Sequence, residues 1–234
     1  MKKKKKIVIS SKTVIIILSI LLLFSLVINI YFFDVKKTSI VLDENIVFFG
    51  DSITSGYKIE EFYPKNNVIN SGTGGDTTEN LLERMNDVYK YNPSKVFILI
   101  GINDLNRGKS IDEILDNIQR IVNNIKTNRE YTNIYIESVY PINRNVFEDK
   151  DYSFNNDINN DTIKELNDRL SNLCKENSIQ YVDVYNNLID SEGNLKEDYT
   201  REGLHLTDLG YFKVTSSLSK YIDEELWNLL IIML

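Results

Sequence analysis

The chain has 234 residues, 42% hydrophobic and 26% charged, which suits one globular domain with an additional segment. A formal net charge of −7 argues against a nucleic-acid surface, and a lone cysteine excludes an intramolecular disulfide. With one histidine and one cysteine the sequence offers no zinc-ligand spacing, so no metal is expected.

The additional segment comes first. Val14 to Phe33 is an uncharged run of twenty residues, long enough to cross a bilayer as a helix at about 1.5 Å per residue. It ends in Tyr31, Phe32, Phe33 and Asp34 instead of the small residues of a signal-peptide cleavage site, which favours a retained anchor. Six lysines precede it and two follow, so the positive-inside rule predicts a single-pass cell-membrane protein with a cytoplasmic N-terminus and an extracytoplasmic main domain. The expected division is a Lys-rich tip and anchor over 1–37, a linker over 38–44 and a catalytic domain over 45–234. Residues 1–37 hold eight lysines and one aspartate, which leaves 19 basic and 33 acidic residues, a net −14, in the outer part.

Along that outer part short β-rich runs alternate with helical patterns. "NIVFFG" (45–50), "NVIN" (67–70), "KVFILIG" (95–101), "NIYIESVY" (133–140) and "IQYVDVY" (179–185) read as strands, several of them continuously apolar as in parallel strands buried on both faces. Between them, residues 77–91 read as one helix capped by Asp76 or Thr77, and Ser110 with Glu113 forms a capping box for a second. A third helix over 160–177 puts Leu166, Leu170 and Cys174 on one face, which makes the thiol a packing residue. "TDLGYFKVTSSLSKYIDEELWNLL" supplies a last helix, and "LWNLLIIML" is apolar for a terminus, as expected of a helix packing on the sheet. The Asn/Asp-rich stretch over 147–161 reads as a surface loop; its spacing is not that of a calcium-binding EF-hand. Five strands alternating with helices predict a three-layer α/β/α sandwich around a mostly parallel five-stranded sheet.

Ligands of such sheets bind beyond the carboxyl ends of the strands, and the polar residues with chemistry cluster there. Strand one runs into "GDSIT", which presents the Ser52 hydroxyl at a turn. Strand two runs into "NSGTGGDTT", whose glycines can bring backbone N–H groups close to a substrate. Strand three ends in "GIND", with the Asn103 amide, and "EGLHL" carries His205, the only histidine, three residues after Glu202. Each is weak alone. Together they supply a hydroxyl nucleophile, an imidazole base, an orienting acid and oxyanion donors, the parts acyl transfer requires. No P-loop or dinucleotide fingerprint is present, and serine chemistry needs no cofactor. The α/β-hydrolase elbow G-x-S-x-G is half present, since Thr54 stands at the second glycine position.

These four blocks, in this order over roughly residues 45–225, resemble the SGNH hydrolases, the GDSL family of esterases and lipases. The resemblance implies a flavodoxin-like sandwich. It also implies that Ser52 is the nucleophile, that His205 is the general base, and that the Ser52 and Gly75 backbone N–H groups with the Asn103 side-chain amide form the oxyanion hole. One position departs from the family, which has Asp three residues before the histidine; here Glu202 adds a methylene, and Asp198 and Asp208 are the competing candidates for the acid. The expected function is hydrolysis of carboxylic esters, acetyl foremost, on a small-molecule, glycan or lipid substrate through an acyl-Ser52 intermediate. Transfer of the acyl group to an envelope glycan, lysophospholipase or lipase action, and a catalytically silent glycan-binding domain are the alternatives.

Overall fold

The computed structural model describes residue 12 and residues 18–29, 43–147, 154–155, 157–223 and 227. The chain divides into two compact units, Met1–Val41 and Leu42–Leu234. In the first, residues 18–29 are helical and their leucines are exposed, Leu22 by 72%. Among the described residues no helix is long and apolar enough to cross a membrane, so the anchor predicted over Val14–Phe33 has no support there. Both of its ends lie outside the described residues, as does most of the predicted terminal apolar stretch.

The second unit runs β1 (Asp43–Gly50), α1 (Ser52–Ser55), α2 (Ile59–Phe62), β2 (Val68–Gly72), α3 (Thr78–Glu83), α4 (Asn86–Tyr89), β3 (Pro93–Leu99), α5 (Ile102–Asn106) and α6 (Ile111–Asn128). It continues with β4 (Asn133–Glu137), α7 (Asn160–Glu176), β5 (Gln180–Val182), α8 (Tyr185–Leu188) and α9 (Asp208–Ile222). The strands form one sheet in the order β2-β1-β3-β4-β5, every pair parallel, inside the predicted three-layer α/β/α sandwich. This order reverses direction between β1 and β3, the point at which open parallel sheets place their ligand crevice, at the carboxyl ends.

Cross-strand register aligns the core. Phe48, Phe97 and Tyr135 are direct partners on β1, β3 and β4, and their rings stack at 5.0 and 4.5 Å between centroids. Offset stacks of this kind add about 1 kcal/mol each beyond the area they bury. On this face α9 closes the core, with Tyr57 stacked on Tyr211 at 4.9 Å and bonded through its hydroxyl to Thr215 at 2.6 Å. On the other face α6 turns Ile114, Ile118, Ile121, Val122 and Ile125 inward at the helical period and packs between α3 and α7. Its Ser110 and Glu113 form the predicted capping box. Cys174 is buried on the inner face of α7, and burial pushes its thiol up to about 12, which keeps it protonated and inert at neutral pH.

Several predicted elements differ: strand four ends at Glu137 instead of Tyr140, and the last helix stops at Ile222. The helix expected over 77–91 is two short helices, α3 and α4, because Arg84 leaves helical geometry and spends its guanidinium on the strand ends below. Strand five is three residues long, and Tyr185–Leu188 is helical because Ser138 Oγ accepts the Val184 and Tyr185 N–H groups and turns the chain. The loop predicted over 147–161 lies largely outside the described residues.

Candidate active site

β1 stops at Gly50 for a steric reason. A Cβ there would lie 2.2 Å from Thr54 Oγ1 and 2.4 Å from the Leu99 carbonyl, so only glycine lets the chain turn this tightly between β2 and β3. Asp51 then caps α1, its Oδ1 accepting the Ile53 N–H at 2.9 Å, and Ser52 becomes the first helical residue. A first-turn N–H has no intrahelical acceptor, so the Ser52 N–H is available beside its own hydroxyl. Asn70 in the middle of β2 fixes this turn from the side, donating to the Thr54 and Tyr57 carbonyls at 2.8 Å each and accepting from Gly72 N–H.

The histidine arrives from a tight loop between the 3-10 turn Glu197–Tyr199 and α9. Thr200 bridges to Leu206, and its Oγ1 both donates to the His205 carbonyl and accepts the Gly203 N–H. Gly203 has φ +97°, and a Cβ would meet the Asn143 carbonyl at 2.4 Å, so the loop requires glycine there. His205 Nε2 stands 2.9 Å from Ser52 Oγ, and its Nδ1 stands 2.5 Å from Glu202 Oε1. The same Oε1 accepts the His205 backbone N–H at 2.8 Å. The extra methylene of glutamate is thus taken up by folding the carboxylate back over its own loop. Asp198 and Asp208 point elsewhere: each has an exposed carboxylate 3.8 Å from a lysine, Lys196 and Lys58 respectively.

The Gly75–Asp76 segment and Asn103 are joined directly. Asn103, in the first turn of α5, donates one amide hydrogen to the Asp76 carbonyl at 2.9 Å, which leaves the other hydrogen for a ligand. Sequence reasoning missed the bracket beneath them. Arg84 pairs with Asp76 at 2.6 Å, donates to the Gly50 carbonyl at 2.9 Å and to the Ser71 carbonyl at 3.0 Å, and lies over the Phe49 ring. Asp104, fully buried, accepts from the Thr78 N–H at 2.9 Å and the Thr78 hydroxyl at 2.6 Å, tying the Asn103 helix to the start of α3. Only its place beside Asn103 in "GIND" was a signal for it.

Below the serine two carboxyls are buried without a cation. Burial pushes Asp51 up to about 7, with Asp76 and Asp104 adding to the rise, and pushes Glu137 up to about 7 despite the Tyr140 hydroxyl that donates to it at 2.5 Å. A carboxyl raised from its ordinary range near pH 4 holds a proton in the fold that the unfolded chain has lost, so stability falls as pH rises from about 4 to about 7. Glu137→Gln keeps an acceptor for Tyr140 and removes the ionisation. We expect it to be little changed at pH 5 and more stable than the parent at pH 8, by on the order of 3 kcal/mol, in urea melts. Equal effects at the two pH values would count against a charge held off by burial.

Residues 48–212 match the model of the GDSL-like lipase/acylhydrolase family. The chain is 28% identical over 181 residues to N-acylneuraminate cytidylyltransferase of Streptococcus agalactiae, covering 76% of itself and 38% of that protein, so it spans well under half of that relative's length. It is 25% identical over 191 residues to human platelet-activating factor acetylhydrolase IB subunit alpha2, covering 77% of itself and 76% of the relative. Among solved structures it is similar to a Streptococcus pneumoniae protein provisionally named a platelet activating factor. The TM-score is 0.71 at 31% identity, over 79% of this chain and 86% of that one.

Proposed function

The chain belongs to the GDSL-like lipase/acylhydrolase family of serine ester hydrolases, and from that premise we propose that Ser52, His205 and Glu202 cleave small acyl esters, acetyl foremost. One observation carries the reading: an uninterrupted line from Ser52 Oγ through both imidazole nitrogens to Glu202, with links of 2.9 and 2.5 Å. As Oγ attacks the ester carbonyl, His205 Nε2 takes its proton; the Nδ1 proton stays on the imidazole, held towards Glu202. The tetrahedral oxyanion meets the Ser52 and Gly75 N–H groups and the free Asn103 amide hydrogen. The tetrahedral centre collapses, the alcohol leaves with the proton from Nε2, and water repeats the cycle to release the acid. The acetylhydrolase relative supports the small acyl group.

The uncharged run Val14–Phe33 and the lysines ahead of it support an anchor that holds this domain outside the cell membrane. A single preparation tests both parts. The full chain should sediment with the membranes, resist alkaline carbonate and turn over p-nitrophenyl acetate, and Asn103→Ala should lower that turnover about a hundredfold. Release by carbonate overturns the anchor; absence of turnover overturns the esterase.

A further inference from the structure

Arg107 stands beside the residues proposed to form the oxyanion hole. It follows Asn103 by one helical turn, capping α5 through its own N–H to the Asn103 carbonyl at 3.0 Å. Its Nη2 donates to the Gly75 carbonyl at 2.7 Å. The residue is therefore bonded to both residues that flank the proposed oxyanion position, to Asn103 through its backbone N–H and to Gly75 through its guanidinium. It is exposed, and among the described residues no carboxylate pairs with it. That is notable on this domain, where acidic residues outnumber basic ones by fourteen over residues 38–234 and where Arg84 and Arg169 each hold an aspartate. Arg201, beside Glu202, likewise has no carboxylate partner among the described residues. It lies within electrostatic reach of the Tyr211 hydroxyl, which donates to the Ile53 carbonyl one residue past the nucleophile.

A guanidinium carries five N–H donors in a planar fork matched to carboxylate and phosphate oxygens, and Arg107 spends one of its donors on Gly75. In a field that otherwise repels anions, a cation bonded to Gly75 discriminates by charge more sharply than one on a neutral surface. We propose that Arg107 recognises an anionic group, a carboxylate or a phosphate, carried by the substrate next to the scissile ester. The inference rests on the Ser52 esterase reading and narrows its substrates to acyl esters of acidic molecules.

The test uses the full chain and three acetylated sugars, glucuronic acid, glucose 6-phosphate and glucose, with acetate release giving kcat/KM. At least one anionic ester should exceed the neutral one by about tenfold or more, the size expected of one charge-assisted contact. That preference should shrink as salt is raised. Arg107→Gln should collapse the ratio to within about twofold through KM, and Arg107→Lys should keep part of it. Which acidic sugar is preferred separates carboxylate from phosphate recognition. A parental ratio near one overturns the proposal. So does an Arg107→Gln variant that loses the same factor on all three sugars, because it would show that Arg107 only steadies Gly75. Failure on p-nitrophenyl acetate as well would instead overturn the esterase reading beneath it.

Discussion

Ser52→Ala is expected to lower kcat for p-nitrophenyl acetate by about 10⁶-fold and to abolish covalent capture of a fluorophosphonate, with the melting temperature of the domain held. The size follows from the path of the reaction. Without Oγ there is no acyl-enzyme, and water must attack directly with only the oxyanion donors to help, which leaves a residual of about 10³ over the uncatalysed rate. Stability is spared because Ser52 is half-buried at the first position of α1, where its own side chain caps nothing; Asp51 caps the helix and Asn70 secures the turn. A variant that still took up the fluorophosphonate would put the nucleophile elsewhere. Cys174 offers no substitute, since it is buried in the core.

How much of this was legible in the sequence depends on the kind of interaction. The strands β1 and β3 announce themselves as apolar runs, because a parallel strand buried on both faces needs little else. The cap at Ser110 is equally local and equally visible. Ser52, Gly75, Asn103 and His205 could be grouped because three lie just past predicted strand ends and the fourth precedes the last helix. Arg84 could not be found this way. In the sequence it sits in a run of helical period and looks like a solvent-facing residue, whereas the fold bends the chain there to span Gly50, Ser71 and Asp76 from three separate segments. Glu137 is hidden for the same reason: a charged residue at a strand end reads as exposed until the fold is known to bury it beside Val182 of β5 and the Tyr140 hydroxyl. Local patterns reveal elements and caps. Contacts between distant segments reveal what holds the site rigid.

Glu202 is the position where the family pattern and this chain part, and its substitution separates two roles that an acid can have. Glu202→Ala is expected to lower kcat by about 10⁴-fold, the loss found when a triad acid is removed and the imidazole is free to turn or to carry its proton on the wrong nitrogen. Glu202→Gln should cost much less, on the order of 10²-fold. The reason lies in Oε1, which accepts both the ring Nδ1 and the backbone N–H of His205. Two donors converge on that oxygen, so a glutamine is driven to present its carbonyl and not its NH₂, and the productive tautomer survives. What it loses is the negative charge that stabilises the imidazolium. Measured kcat values for the two variants test this directly. If Gln falls as far as Ala, the loop does not enforce the amide orientation. If Asp198→Asn falls further than either, the acid is Asp198, and its exposed carboxylate near Lys196 would have to swing inward to serve.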